Sequence, residues 1–229
     1  EKIDTKTATE HGILVSHSPV DENSEAVAEH TIALMLALIK KVKKTDTYLR
    51  TGGWRDVSVH PEDLCGKKIG IIGLGRIGRA VAQRLQGWGV KLLFYSPSAE
   101  IPASLKGLDI EKTSLENLLR ESDIVSLHMV AKPETRHLLN KEKLRLMKST
   151  SYLVNTARGE VIDESALVEA LRENRIAGAG LDVFEKEPPP PNHPLLSFEQ
   201  VILTPHTAGT TPRSRRSIVE KAVQNCLSV

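Results

Sequence analysis

Along this chain, short unbroken apolar runs alternate with stretches in which apolar side chains recur every three or four positions. The runs centre on Ile69, Ile71 and Ile72, and on residues 90–95, 123–128, 152–155, 176–183 and 201–203. Such runs, apolar without polar alternation, predict strands covered on both faces. Between them the spacing turns helical, with Ile77, Val81 and Leu85 on one face and Leu115, Leu118 and Leu119 on another. Ser114 and Asp163 stand at N-cap positions, a short helix is predicted over 141–147 and another over 164–173, and Pro212 opens a last one. Strands alternating with helices in this way predict an α/β fold, a doubly wound parallel sheet of the Rossmann type. Its right-handed crossovers place the ligand crevice at the carboxyl ends of the strands.

The N-terminal part has a different texture. A helical scrap at 5–10 precedes a run at 12–16 that reads as one strand, ending at Pro19. Asn23 or Ser24 can cap a long helix from about Glu25 to Leu49. Its first half is apolar nearly all round, with eight successive apolar residues from Ile32 to Ile39, and its second half is basic. Eight are too few to cross a membrane, so the helix is expected to be buried or at an interface, and its length points to an interdomain or intersubunit position, with a homodimer formed through helix 24–50. Glu29 and His30 read as a buried polar pair.

Composition narrows the chemistry. The 229 residues carry a net charge of +2, with acids and bases interspersed and 3% aromatic residues. A nucleic-acid partner is therefore not expected, since neither a basic face nor a stacking platform is visible. Cys65 and Cys226 have no metal or redox spacing, so no metal site is expected and a reducing, cytoplasmic compartment is.

The run at Ile69–Ile72 leads into Gly73-Leu74-Gly75-Arg76-Ile77-Gly78, which is G-x-G-x-x-G between a strand and a helix. In that setting Gly73 serves the tight turn, Gly75 lets backbone approach a pyrophosphate, and Gly78 lets helix lie close on strand. The helix N-terminus then offers free N–H groups and a positive dipole end. Unusual polar residues gather at the other strand ends: His128, then Thr156 with Ala157 and Arg158, then Asp182 with Glu187, then His206.

These motifs, with Val27-Ala28-Glu29-His30, Gly53-Trp54, SLH at 126–128, NTARGEVID at 155–163, LDVFEKEP at 181–188 and TPHTAG at 204–209, resemble the D-isomer-specific 2-hydroxyacid dehydrogenases. The resemblance implies hydride exchange between a nicotinamide cofactor and a 2-oxo or D-2-hydroxy acid, glyoxylate or hydroxypyruvate foremost. It implies a catalytic set in which Arg158 binds the substrate carboxylate, His206 passes a proton and Glu187 holds the imidazole. Gly73, Gly75, Arg76, Ile77 and Gly78 would face the pyrophosphate, and Ser96 the ribose. Thr156, Ala157 and Asp182 would lie at the nicotinamide, with Gly209 close by and His128 shaping the pocket. A corepressor-like, dinucleotide-sensing interaction protein is the alternative that relatives of this family suggest, and a folded but inert cofactor domain a third.

Two departures from the family pattern stand out. The end of the second strand reads Phe94-Tyr95-Ser96-Pro97-Ser98, without the acid that would take a ribose 2′-hydroxyl. NAD is expected as cofactor, with NADP as the alternative. The second departure is length. Residues 1–23 read as a remnant of a flavodoxin-like substrate domain, 24–209 as the cofactor domain, and 210–229 as the start of a helix returning to the substrate domain. On that reading this chain alone binds cofactor but turns over little substrate.

Overall fold

The structure, a computed structural model, describes residues 3–55, 60–97 and 99–228; Ser98 and the extreme ends of the expected terminal segments lie outside them. Seven parallel strands form one sheet: β1 (Lys68–Ile72), β2 (Lys91–Tyr95), β3 (Ile110–Lys112), β4 (Ile124–Leu127), β5 (Tyr152–Asn155), β6 (Gly178–Leu181) and β7 (Val201–Leu203). Their order across the sheet is β3-β2-β1-β4-β5-β6-β7, which reverses direction between β1 and β4. That reversal creates a crevice where two neighbouring loops leave in opposite directions.

The strands divide their side chains between two helical layers, as a pleat of period two requires. Ile69 and Ile71 of β1, with Tyr152 and Val154 of β5, join α2 (Asp21–Ile39) and α4 (Arg76–Arg84) in one core. Ile72 and Leu153 point the other way, to α5 (Leu115–Glu121), α6 (Lys141–Leu144) and α7 (Glu164–Arg172). Ser114, Asn140 and Asp163 each accept a hydrogen bond from the third residue beyond them, capping α5, α6 and α7. In β6 the missing side chain of Gly180 lets Leu34 and Leu38 of α2 lie directly on the sheet.

The N-terminal expectations need correction at three points. The long helix is two helices: α2 begins at Asp21 and ends at Ile39, and α3 (Val42–Arg50) follows after Lys41 turns left-handed, with φ 51°. Had the helix continued, Lys40, Lys43 and Lys44 would have stacked at three- and four-residue spacing and repelled one another. Instead Lys43 Nζ donates to the carbonyl of Val201 at 2.9 Å. The apolar half of α2 is covered within the one chain, because β5, β6, β7, α4 and α8 (Pro212–Leu227) surround it. Met35 and Ile39 are buried, so the richness in apolar residues does not by itself require a second subunit. Finally, residues 12–16 pair with no strand among the described residues. They run extended beyond α1 (Thr5–Glu10), tied to α8 where Asn225 Nδ2 donates to Ser16 Oγ at 2.8 Å. A strand needs a neighbour for its backbone groups, and the main sheet does not supply one here.

Candidate active site

The glycine loop joins β1 to α4 and borders the reversal point. Gly73 adopts φ 98°, and a Cβ there would stand 2.8 Å from the carbonyl of His128 at the end of β4. A Cβ on Gly78 would meet the carbonyl of Gly73 at 2.2 Å, whereas around Gly75 nothing lies within 4 Å. The first and third glycines thus close the turn, and the second leaves open space. Among the described residues no side chain caps α4, so the N–H groups of its first turn, at Arg76 and Ile77, stay directed at that space. This donor set and shape fit a pyrophosphate. Arg76 lies 3.9 Å from Asp21, and Ser96 follows directly on β2, half-buried. Gly209 is held from behind by Asn23 Nδ2, 3.2 Å from its carbonyl.

His128 closes the other side of the crevice. Its Nε2 lies 2.9 Å from Ser126 Oγ, and its buried Nδ1 has no partner among the described residues. Burial pushes the imidazole pKa down to about 3, so the ring is neutral in any ordinary buffer. The unfolded chain takes up this proton below about pH 6.5, while the fold refuses it until about pH 3. Between those limits the unfolded state binds more protons, so stability falls as the pH is lowered, by at most about 1.4 kcal/mol per unit. His128→Asn is expected to flatten the decline of Tm between pH 6.5 and 4. An equally steep decline in the variant would show that other groups carry it.

Three consecutive strands deliver the remaining groups. After β5, the N–H of Ala157 donates to Asn155 Oδ1 at 3.0 Å and Asn155 Nδ2 donates to the carbonyl of Arg158 at 2.9 Å, a local frame that fixes the Arg158 backbone. The N–H of Ala157 is thereby taken. Arg158 Nη1 donates to the carbonyl of Ala157 at 2.6 Å. After β6, the buried Asp182 carboxylate accepts from Thr204 Oγ1 at 2.5 Å and from the N–H groups of Thr207 and Ala208 at 2.9 Å each. The Asp182 carbonyl accepts from the N–H of His206 at 2.8 Å. Asp182 therefore fastens the segment after β7, where His206 is held at φ 54°, a conformation costly for a residue with a Cβ. His206 Nδ1 lies 2.7 Å from Glu187 Oε2, and Glu187 Oε1 accepts from the N–H of Phe184 at 3.1 Å. With Nδ1–H donated to the carboxylate, Nε2 is the nitrogen left for a substrate. An apolar cavity of about 470 Å³ adjoins this pair, lined by Phe184, Pro188, Leu196 and Leu203.

Two groups escaped the reading of the sequence. His30, taken as half of a polar pair with Glu29, instead places Nε2 2.9 Å from Thr204 Oγ1 and so reaches Asp182 through that hydroxyl; Glu29 turns to Arg84. Glu164, read only as the start of a helix, accepts from the N–H of Glu185 at 3.3 Å and lies 3.6 Å from His193 Nε2. Burial holds its carboxyl above the usual range. With the His137–Glu185 pair, it braces the loop that carries Glu187.

A model of the D-isomer specific 2-hydroxyacid dehydrogenase NAD-binding domain matches residues 32–208. The chain is 47% identical to the glyoxylate reductase of Thermofilum pendens, across the whole of this chain and 68% of that protein. The chain belongs to the D-isomer specific 2-hydroxyacid dehydrogenases. Among solved members of similar fold is the D-lactate dehydrogenase of Aquifex aeolicus, complexed with NAD and lactic acid, with a TM-score of 0.90 and 36% identity over 99% of this chain and 72% of that one. An acyclic imino acid reductase in complex with NADPH and D-Arg superposes with a TM-score of 0.89 at 32% identity, over 99% of this chain and 71% of that one. As a 2-hydroxyacid dehydrogenase, the chain is an oxidoreductase that exchanges hydride between NAD(P) and a 2-oxo or 2-hydroxy acid.

Proposed function

We propose that this dehydrogenase reduces small 2-oxo acids, glyoxylate and hydroxypyruvate foremost, to D-2-hydroxy acids. The observation that carries the reading is the hydrogen-bonded Glu187–His206 pair, which joins the loop after β6 to the segment after β7, with Arg158 on the loop after β5. Arg158 receives the substrate carboxylate in a paired hydrogen bond and polarises the adjacent carbonyl. When bound, the dinucleotide supplies the hydride from its nicotinamide ring. His206 Nε2 gives a proton to the carbonyl oxygen as the carbonyl carbon is reduced, and takes it back in the oxidation direction. Glu187 keeps the ring in the tautomer that makes this possible.

The glycine loop, Ser96 and Gly209 form the cofactor site. Ser96 brings neither the acid that favours NAD nor an arginine for a 2′-phosphate, and NAD is assigned first with NADP as alternative. The same reading includes a homodimer, supported by the exposed apolar side chains of Val42, Leu49 and Trp54 on and beyond α3. It includes a cytoplasmic setting, supported by the exposed free thiols of Cys65 and Cys226. No described helix is long and apolar enough to cross a membrane.

A panel of glyoxylate, hydroxypyruvate, pyruvate and a branched 2-oxo acid, each with NADH and with NADPH, tests the assignment. Expected is a kcat/KM for one of the two named acids at least about tenfold above the branched acid, as pocket size usually discriminates. Failure to oxidise either cofactor with any member of the panel would remove the assignment.

A further inference from the structure

Thr31 sits one helical turn beyond Val27 in α2 and is fully buried. Its hydroxyl makes two contacts, both at 2.8 Å: it donates to the carbonyl of Val27, and it touches Thr156 Oγ1. A threonine hydroxyl owns one proton. With that proton committed to Val27, the Thr31 oxygen can only accept from Thr156, and the Thr156 proton points into α2. Thr156 is then left with lone pairs for anything that approaches from the crevice. The register pairs Asn155 with Leu181, so the residues that follow, Thr156 and Asp182, stand side by side at the sheet edge. Asp182 is likewise acceptor-only, and its hydroxyl neighbour Thr204 spends its own proton on it. Two adjacent residues thus present acceptors and no donor.

We propose that Thr31 is a positioning residue that turns the Thr156 hydroxyl into an obligate acceptor, so that the pocket selects the N–H donors of a carboxamide at the nicotinamide ring. This rests on the reading above in which Thr156 and Asp182 meet that amide. Without Thr31 the Thr156 proton has lost its acceptor and is free to swing toward the crevice, where it can serve a carbonyl oxygen instead. Val at position 31 keeps the buried shape and removes only the hydroxyl.

The test compares the Kd, from calorimetric titration, and the kcat/KM for the natural dinucleotide with those for its 3-acetylpyridine analogue, whose methyl ketone has no N–H. Wild type, Thr31→Val, Thr31→Ser and Thr156→Val are measured in the same enzyme. ADP-ribose binding, which uses the glycine loop and Ser96 and not the nicotinamide end, reports that each variant is folded; Thr31→Ala replaces Thr31→Val should that variant not bind it. Expected is a preference for the carboxamide in wild type that falls at least fivefold in Thr31→Val and returns in Thr31→Ser. If Thr156→Val shifts the preference while the hydroxyl-free variant at position 31 does not, the role given to Thr31 is wrong. An unchanged preference in Thr156→Val would instead overturn the placement of the amide, and the inference with it.

Discussion

Arg158→Lys is expected to lower kcat/KM for the 2-oxo acid by about a hundredfold or more, with cofactor affinity within about twofold of wild type. Lysine keeps the positive charge but replaces a planar fork by a point donor, so the substrate carboxylate loses its second hydrogen bond and the carbonyl its orientation. The backbone under Arg158 is fixed independently of its side chain, through Asn155 Nδ2 and the N–H of Ala157. The substitution therefore tests the side chain and not the loop. The dinucleotide contacts assigned to the glycine loop and Gly209 lie on other segments, which is why affinity for cofactor should hold. Steady-state kinetics beside calorimetric titration with cofactor separates the two effects. Equal loss in both would mean that Arg158 supports the cofactor site, and no loss in either would remove it from the site altogether.

Much of the fold was legible because it is written in local patterns. The apolar runs of β1, β4 and β5 have no polar face, the caps at Ser114 and Asp163 are single residues with a known job, and Gly73 and Gly78 close a turn that leaves no room for a Cβ. Topology then places the strand ends together, so Arg158, Asp182 and His206 could be nominated from their positions alone. Local pattern says little about residues whose role depends on distant partners. Thr31 meets a hydroxyl 125 positions away, and His30 one 174 away, and nothing around either residue signals it. Apolar content alone does not tell a covered face from an interface. The stretch Ile32–Ile39 is rich enough to suggest a subunit interface, yet a helix lying across a sheet with helices on either side is covered on most of its circumference. A break at Lys41 without glycine or proline was equally invisible, because there the charges on successive turns and the end of the sheet decide where the helix stops.

Gly159→Ala is expected to be the most damaging single-methyl change near the site. Gly159 follows Arg158, and a Cβ built on it would stand 2.0 Å from the carbonyl carbon of Phe184, 2.1 Å from its oxygen and 2.3 Å from the N–H nitrogen of Glu185. All three are backbone atoms, so no side chain can swing aside to make room. The loop after β5 and the loop after β6 must separate by an ångström or more. That separation acts at both ends of the catalytic set, because one loop carries Arg158 and the other continues through Phe184 to Glu187, whose Oε1 is held by the Phe184 N–H. Glu185 is pinned from the far side by Glu164 and His137, which leaves the displacement little freedom to spread. Overpacking of this kind costs about 3 kcal/mol, or roughly 6–12 °C in Tm for a chain of this size. A misplacement of that order in the site costs about a hundredfold in turnover. The glycine loop after β1 lies apart from both segments, so ADP-ribose should bind the folded variant as it binds wild type. Thermal melts and steady-state rates read the two expected losses. A variant with wild-type Tm and rate would show that the two loops have slack at their crossing, and that Arg158 and Glu187 do not depend on it for their spacing.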